Sequence, residues 1–190
     1  MGEILSILGK EDFYFAMLRT ATPVLLTTLG AMTASRAGVS NIALEGTMLF
    51  AAFFGVIVSA FSQSALLGFL AAVGIGLLIS LLLSYFILEL HSNGILSGIA
   101  LNTLASGGTV FLLFLITGEK GASTSLHSLK LPVLHLPLVE NIPFIGKILS
   151  GQHILTYASL ILVFVIAALF KKSRLGMEII AVGENPEAAE

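Results

Sequence analysis

The chain has no cysteine among its 190 residues. A disulfide, a thiolate metal site and a cysteine nucleophile are therefore excluded. Charge is nearly as scarce: Asp, Glu, Lys and Arg together make up 11% of the residues, against about a quarter in an average soluble domain. So few charges cannot cover a water-facing surface. Nor is there a basic excess; the net charge is −2, which argues against nucleic-acid binding. Nor does the opening read as a cleavable leader. The opening "MGEILSILGKEDFYF" has no basic n-region, and Lys10, Glu11 and Asp12 interrupt its apolar stretch. Residues 1–12 are expected to stay attached as an N-terminal tail or an interfacial helix.

What the chain has is apolar length. Hydrophobic residues reach 56% and the mean hydropathy is +1.02. A span needs roughly 20 apolar residues to cross about 30 Å of hydrocarbon. Five runs qualify: Phe13–Ala34, Ile42–Phe61, Ala65–Leu88, Gly94–Thr117 and Ile154–Phe170. Lipid offers no partner for backbone N–H and C=O groups, so each run should be helical. The runs lack the period-2 alternation of a transmembrane β-barrel. The expected fold is all-α: a polytopic integral membrane protein with about five transmembrane helices, four of them within 13–117 and the fifth at 154–170. Residues 118–153 read as an external loop, interfacial or partly re-entrant. Its "LPVLHLPLVENIPFIGKILSG" carries three prolines and no clean helical period.

Lys171, Lys172 and Arg174 directly follow the fifth run, which places residues 171–190 on the cytoplasmic side by the positive-inside rule. Counting back, 89–93 and 35–41 are internal, whereas 62–64 and the N-terminus are external. In the tail, Asn185-Pro186 is a helix-start signal, since Asn caps well and Pro tolerates the first helical position. A short helix is expected to begin at Pro186, one turn before Glu190. A fragment or a truncated product is the expectation that follows.

Polar residues inside spans are costly and each needs a reason. Thr20, Pro23, Thr27 and Gly30 share a face of the first span; helix packing through small residues accounts for them. Gly94, Gly98, Asn102 and Ser106 recur every four positions in the fourth span. That stripe is either a helix contact or, through Asn102, part of a polar path. His91, His127, His135 and His153 form no ligand pattern with carboxylates. With no phosphate loop and no Ser–His–acid arrangement, neither an enzyme nor a metal or cofactor site is expected.

The stretch "SRAGVSNIALEGTMLF", Ser35–Phe50, is the least ordinary. A short cytoplasmic loop explains Arg36. It leaves Asn41 and Glu45 among apolar neighbours and bracketed by Gly38 and Gly46. Two readings stand: a capped helix start, or a discontinuous second helix beside a transport path.

These residues carry a resemblance. Pro23, then Arg36-Ala37-Gly38, Asn41 and Glu45-Gly46 resemble the start of permease subunits of ATP-binding cassette importers for nucleosides and simple sugars, in the larger group with ribose and branched-chain amino acid permeases. "LPLVENIPFIGKILSGQ" and "RLGMEIIAVGENPEAAE" are similar to that group's external loop and ATPase-coupling segment. Ser35 departs from the Glu-Arg with which the pattern often begins, and further spans expected after the coupling segment are absent. The resemblance implies a non-enzymatic permease in the cell membrane. Its implied partners are a cytoplasmic ATP-binding subunit, a second permease subunit and an external substrate-binding protein. Asn41, Glu45, Gly46 and Asn102 would lie on the substrate path. Gly183, Glu184, Asn185, Pro186, Ala188 and Ala189 would form the ATPase coupling contact. A branched-chain amino acid permease and a non-transporting membrane fragment are the alternatives.

Overall fold

The structure, a computed structural model, describes residues 11–119, 125–135 and 148–185. In chain order its elements are α1 (Glu11–Arg36), α2 (Leu44–Ser62), α3 (Ala65–Leu88), α4 (Gly94–Thr117), β1 (Val133–Leu134), β2 (Gln152–His153), α5 (Ile154–Lys172) and α6 (Arg174–Glu184). The first five helices are long and apolar enough to cross a membrane. Between 6% and 17% of each apolar window is buried within the chain. The rest of that apolar surface needs lipid or other protein against it, as befits a multi-pass membrane protein. Most span hydroxyls satisfy themselves. Thr20, Thr28, Thr33, Thr103 and Thr109 each donate to the carbonyl four residues earlier, which removes the cost of a bare hydroxyl in hydrocarbon.

The chain divides into two compact units, Met1–Thr33 with Leu131–Glu190, and Ala34–Lys130. In the second unit α2, α3 and α4 enclose a small core of Ala43, Ile79, Leu83 and Leu101, with Phe50, Ile75 and Ile87 packed against it. Only Gln63 and Ser64 separate α2 from α3, so the two run antiparallel. Gln63 takes the left-handed conformation at φ 50, and the Ser64 hydroxyl accepts from Leu67 N–H to cap α3. The hairpin closes on Gly68. A Cβ there would sit 2.6 Å from Ser59 Cβ and 2.7 Å from the Gly55 carbonyl oxygen. Ser59 also anchors the segment after α4, accepting from Leu129 N–H at 3.1 Å.

In the first unit α1 and α5 run parallel. Gln152, just before α5, donates to the Phe15 carbonyl at 3.0 Å. One turn into α5, the Thr156 hydroxyl meets that of Thr22 at 3.1 Å. Their starts therefore share one end, as the expected alternation of five spans requires. Gln152, Thr156 and Ser159 are at most 2% exposed, so the largest fully buried side chains are polar. The loop expectation is refined as well. Val133 pairs antiparallel with His153, and Leu134 with Gln152. Ladder bonds thus satisfy backbone that no helix covers. Residues 136–147, with most of the proline-rich part of that loop, lie outside the described residues, as do residues 1–10.

Two expectations change. The second helix is unbroken from Leu44 to Ser62; the interruption is the connection before it. And the segment after Lys172, where a helix is expected only from Pro186, already holds one earlier: α6 covers Arg174–Glu184.

Candidate functional site

The candidate site is the connection 37–43 with the first turn of α2. Helix α1 stops there for a local reason. Val39 N–H bonds to the Ala34 carbonyl at 3.0 Å and Gly38 N–H to Ser35 at 3.1 Å, while Gly38 takes φ 80. This 6→1 and 5→2 pair is a Schellman motif, in which the residue at C′ must be left-handed. Gly38 therefore ends a helix. Arg36, exposed in the last turn, complements the negative end of the α1 dipole.

Asn41 then turns the chain, its Oδ1 accepting from Ala43 N–H at 3.0 Å. Ala43, at 0% exposure, is the N-cap of α2, yet it has no side chain able to cap. The cap comes from another helix. Asn102 Oδ1 accepts from Gly46 N–H at 2.7 Å, and Asn102 Nδ2 donates to the Ile42 carbonyl at 2.9 Å. Gly46 is the third helical position of α2, whose N–H an N-cap side chain would ordinarily take. Turning the amide over would set donor against donor and acceptor against acceptor, so its orientation is determined.

The approach needs small residues. A Cβ on Gly46 would lie 2.8 Å from Asn102 Oδ1 and 2.9 Å from the Leu101 carbonyl oxygen; one on Gly98 would lie 3.0 Å from Ile42 Cβ. The stripe on α4 is thus the bed on which the connection lies. The first-span face behaves otherwise: Gly30 has nothing within 4 Å of its would-be Cβ.

Glu45 stands apart. It is exposed in the first turn of α2 and has no hydrogen bond or ion pair among the described residues. The α2 dipole favours its charge there. Asn41 Nδ2 likewise makes no bond among the described residues. The arrangement offers a carboxylate acceptor and an amide donor on a rigidly seated turn. It offers no nucleophile–base pair, and no group of three potential metal ligands occurs among the described residues. A separate cavity of about 240 Å³ lies between α2 and α4, lined by Leu49, Phe53, Val56, Thr109, Val110 and Leu113 among others. Its one hydroxyl, that of Thr109, is spent on the Ala105 carbonyl, so the cavity suits apolar contents.

At the other end of the chain, Ser173 joins α5 to α6. Its hydroxyl donates to the Leu169 carbonyl at 2.7 Å and accepts from Gly176 N–H at 3.0 Å. A Cβ on Gly176 would collide with the Leu169 carbonyl. Gly183 and Glu184 close α6, and Asn185 follows in extended conformation with its N–H on the Ala181 carbonyl at 3.0 Å. Pro186, Ala188 and Ala189 lie outside the described residues, so the helix expected from Pro186 does too. A signal for α6 was present: Ser173 as cap, then Leu175, Ile179 and Val182 at helical spacing.

Residues 13–190 match the family described as the branched-chain amino acid transport system / permease component. The chain belongs to this permease family. Its curated relatives refine the comparison. It is similar to a putative glucose ABC transporter permease protein of Haloferax volcanii, 33% identical over 92% of this chain and 52% of the relative. It is similar to a guanosine ABC transporter permease protein of Bacillus subtilis, 34% identical over 99% of this chain and 59% of the relative. A nucleoside ABC transporter permease protein of Lactococcus lactis is 34% identical over 92% and 56% respectively. The chain thus spans between half and three fifths of the length of these relatives. No solved structure matches.

Proposed function

We propose that this permease chain forms part of the membrane path of an ATP-binding cassette importer for a nucleoside or simple sugar, in the cell membrane. The observation that carries the reading is the 33–34% identity, over at least 92% of this chain, to permeases named for glucose, guanosine and nucleosides. Those names favour a polyhydroxyl or base substrate over the branched-chain amino acid of the family description. The site geometry is in keeping with this. Glu45 would accept hydrogen bonds and Asn41 Nδ2 would donate them, matching the groups of a sugar or base. Asn102 and Gly46 would shape the path by seating this turn.

The chain does no chemistry in this reading. ATP hydrolysis belongs to a separate cytoplasmic subunit, and a substrate-binding protein delivers cargo to the outer side. A second permease subunit completes the path. Residues 171–190 lie in the cytoplasm, where Gly183, Glu184 and Asn185, with Pro186, Ala188 and Ala189, meet the ATP-binding subunit. Coupling requires two states of the spans that ATP and substrate both bias. The test is ATP hydrolysis by the reconstituted complex against a panel of nucleosides, sugars and amino acids. Stimulation by a nucleoside or sugar is expected. Stimulation by leucine, isoleucine or valine alone would move the reading to the amino acid branch.

A further inference from the structure

Helix α6 has an apolar arc too wide for what it packs on. Gly176 is buried against Leu169 and Phe170 of α5. Ile179, Ile180 and Gly183, three to seven residues on, share its side and are half-buried. Leu175 and Val182, seven residues apart on one flank, remain 65% and 46% exposed, and Met177 on the other flank 58%. Arg174 and Glu178 occupy the opposite, polar side. This is the pattern of a helix lying in an interface.

Position says which interface. Helix α5 is a membrane span with lipid-ready residues such as Phe164 at 75% exposure. One residue, Ser173, separates it from α6. The Ser173 hydroxyl bonds both helices, and Gly176 admits no side chain between them. The start of α6 is therefore held against the end of a span, with its apolar arc on the same side as that span. Lys171, Lys172 and Arg174 are all exposed at this corner. The acids nearby are Glu178, on the polar side, and Glu184, at the far end of the helix.

We infer that α6 is an interfacial helix that sinks Leu175, Val182 and Met177 into the leaflet where α5 ends, with Lys171 and Lys172 bound to anionic lipid headgroups. The apolar flanks continue the lipid-facing surface of α5, and the lysine pair supplies the complementary charge. The polar side is left to the aqueous phase. The inference rests on α5 spanning the membrane and stands whatever the cargo is.

These 190 residues carry no cysteine of their own to compete for the label. Spin labels are placed singly by Leu175→Cys, Val182→Cys and Glu178→Cys in the full-length protein, assembled and reconstituted in bilayers with and without anionic lipid. Collision with oxygen and with a water-soluble nickel chelate separates lipid, water and protein interior. Labels at 175 and 182 should meet oxygen and not nickel, most strongly in anionic bilayers; the label at 178 should meet nickel. Lys171→Gln and Lys172→Gln should each lower the lipid-to-water ratio of the 175 label roughly fivefold in anionic bilayers, from ~1 kcal/mol per lysine, and leave it unchanged in zwitterionic ones. Nickel access at 175 and 182 overturns the inference. Protection from both reagents assigns the flank to a protein partner and overturns it equally. So does lipid contact indifferent to headgroup charge and to both lysine substitutions.

Discussion

Asn102 and Glu45 divide between them two jobs that adjacent polar residues could easily be thought to share. Asn102 spends acceptor and donor on backbone groups of the turn before and within α2. Asn102→Ala leaves the buried Gly46 N–H and the Ile42 carbonyl without their side-chain partner. It should cost about 1–3 kcal/mol, read as a lower unfolding midpoint of the purified protein. Glu45 contributes only a dipole term, so Glu45→Ala should lose no more than about 1 kcal/mol. It should nevertheless reduce uptake in cells at unchanged membrane abundance. Unaltered uptake would remove Glu45 from the path. The opposite pattern, with a stable Asn102→Ala protein that fails to transport, would show that the amide meets cargo.

At the scale of elements, glycines decide where helices touch. Gly68→Val places atoms where Ser59 Cβ and the Gly55 carbonyl already stand. It should part the α2–α3 hairpin at a cost of about 1–3 kcal/mol, while Gly30→Val, facing open space, should be close to neutral; thermal unfolding of the pair makes the comparison. The apolar runs announced all five long helices to within about two residues at each end, because a continuous apolar span satisfies its backbone in lipid as a helix. Ala65–Leu88 and Gly94–Thr117 are at their expected bounds. The meaning of the glycines was less legible. Gly38 and Gly46 flank the same polar stretch, yet one needs a positive φ and the other a close neighbour 56 positions away. Local sequence carries no trace of the second requirement. Helix α6 was less legible because it is short and Arg174, Glu178 and Glu184 interrupt its apolar period.

At the scale of the whole molecule, the exposed apolar faces of α1 to α5 call for company. Single cysteines at Gly183, Glu184 and Asn185 should crosslink to the ATP-binding subunit in the assembled complex; crosslinks confined to lipid or to other permease residues would displace that contact. The remote cap also has a consequence for biogenesis. The N-terminus of α2 cannot be capped until Asn102 has been made, 56 residues after Gly46. At about 5–20 residues per second, that is a wait of about 3 to 11 seconds. Through that interval the nascent chain must hold α2 with a bare first turn. The connection 37–43 can settle only when α4 arrives, so a ribosome slowed between residues 46 and 102 would lengthen the time a quality-control protease has to find it.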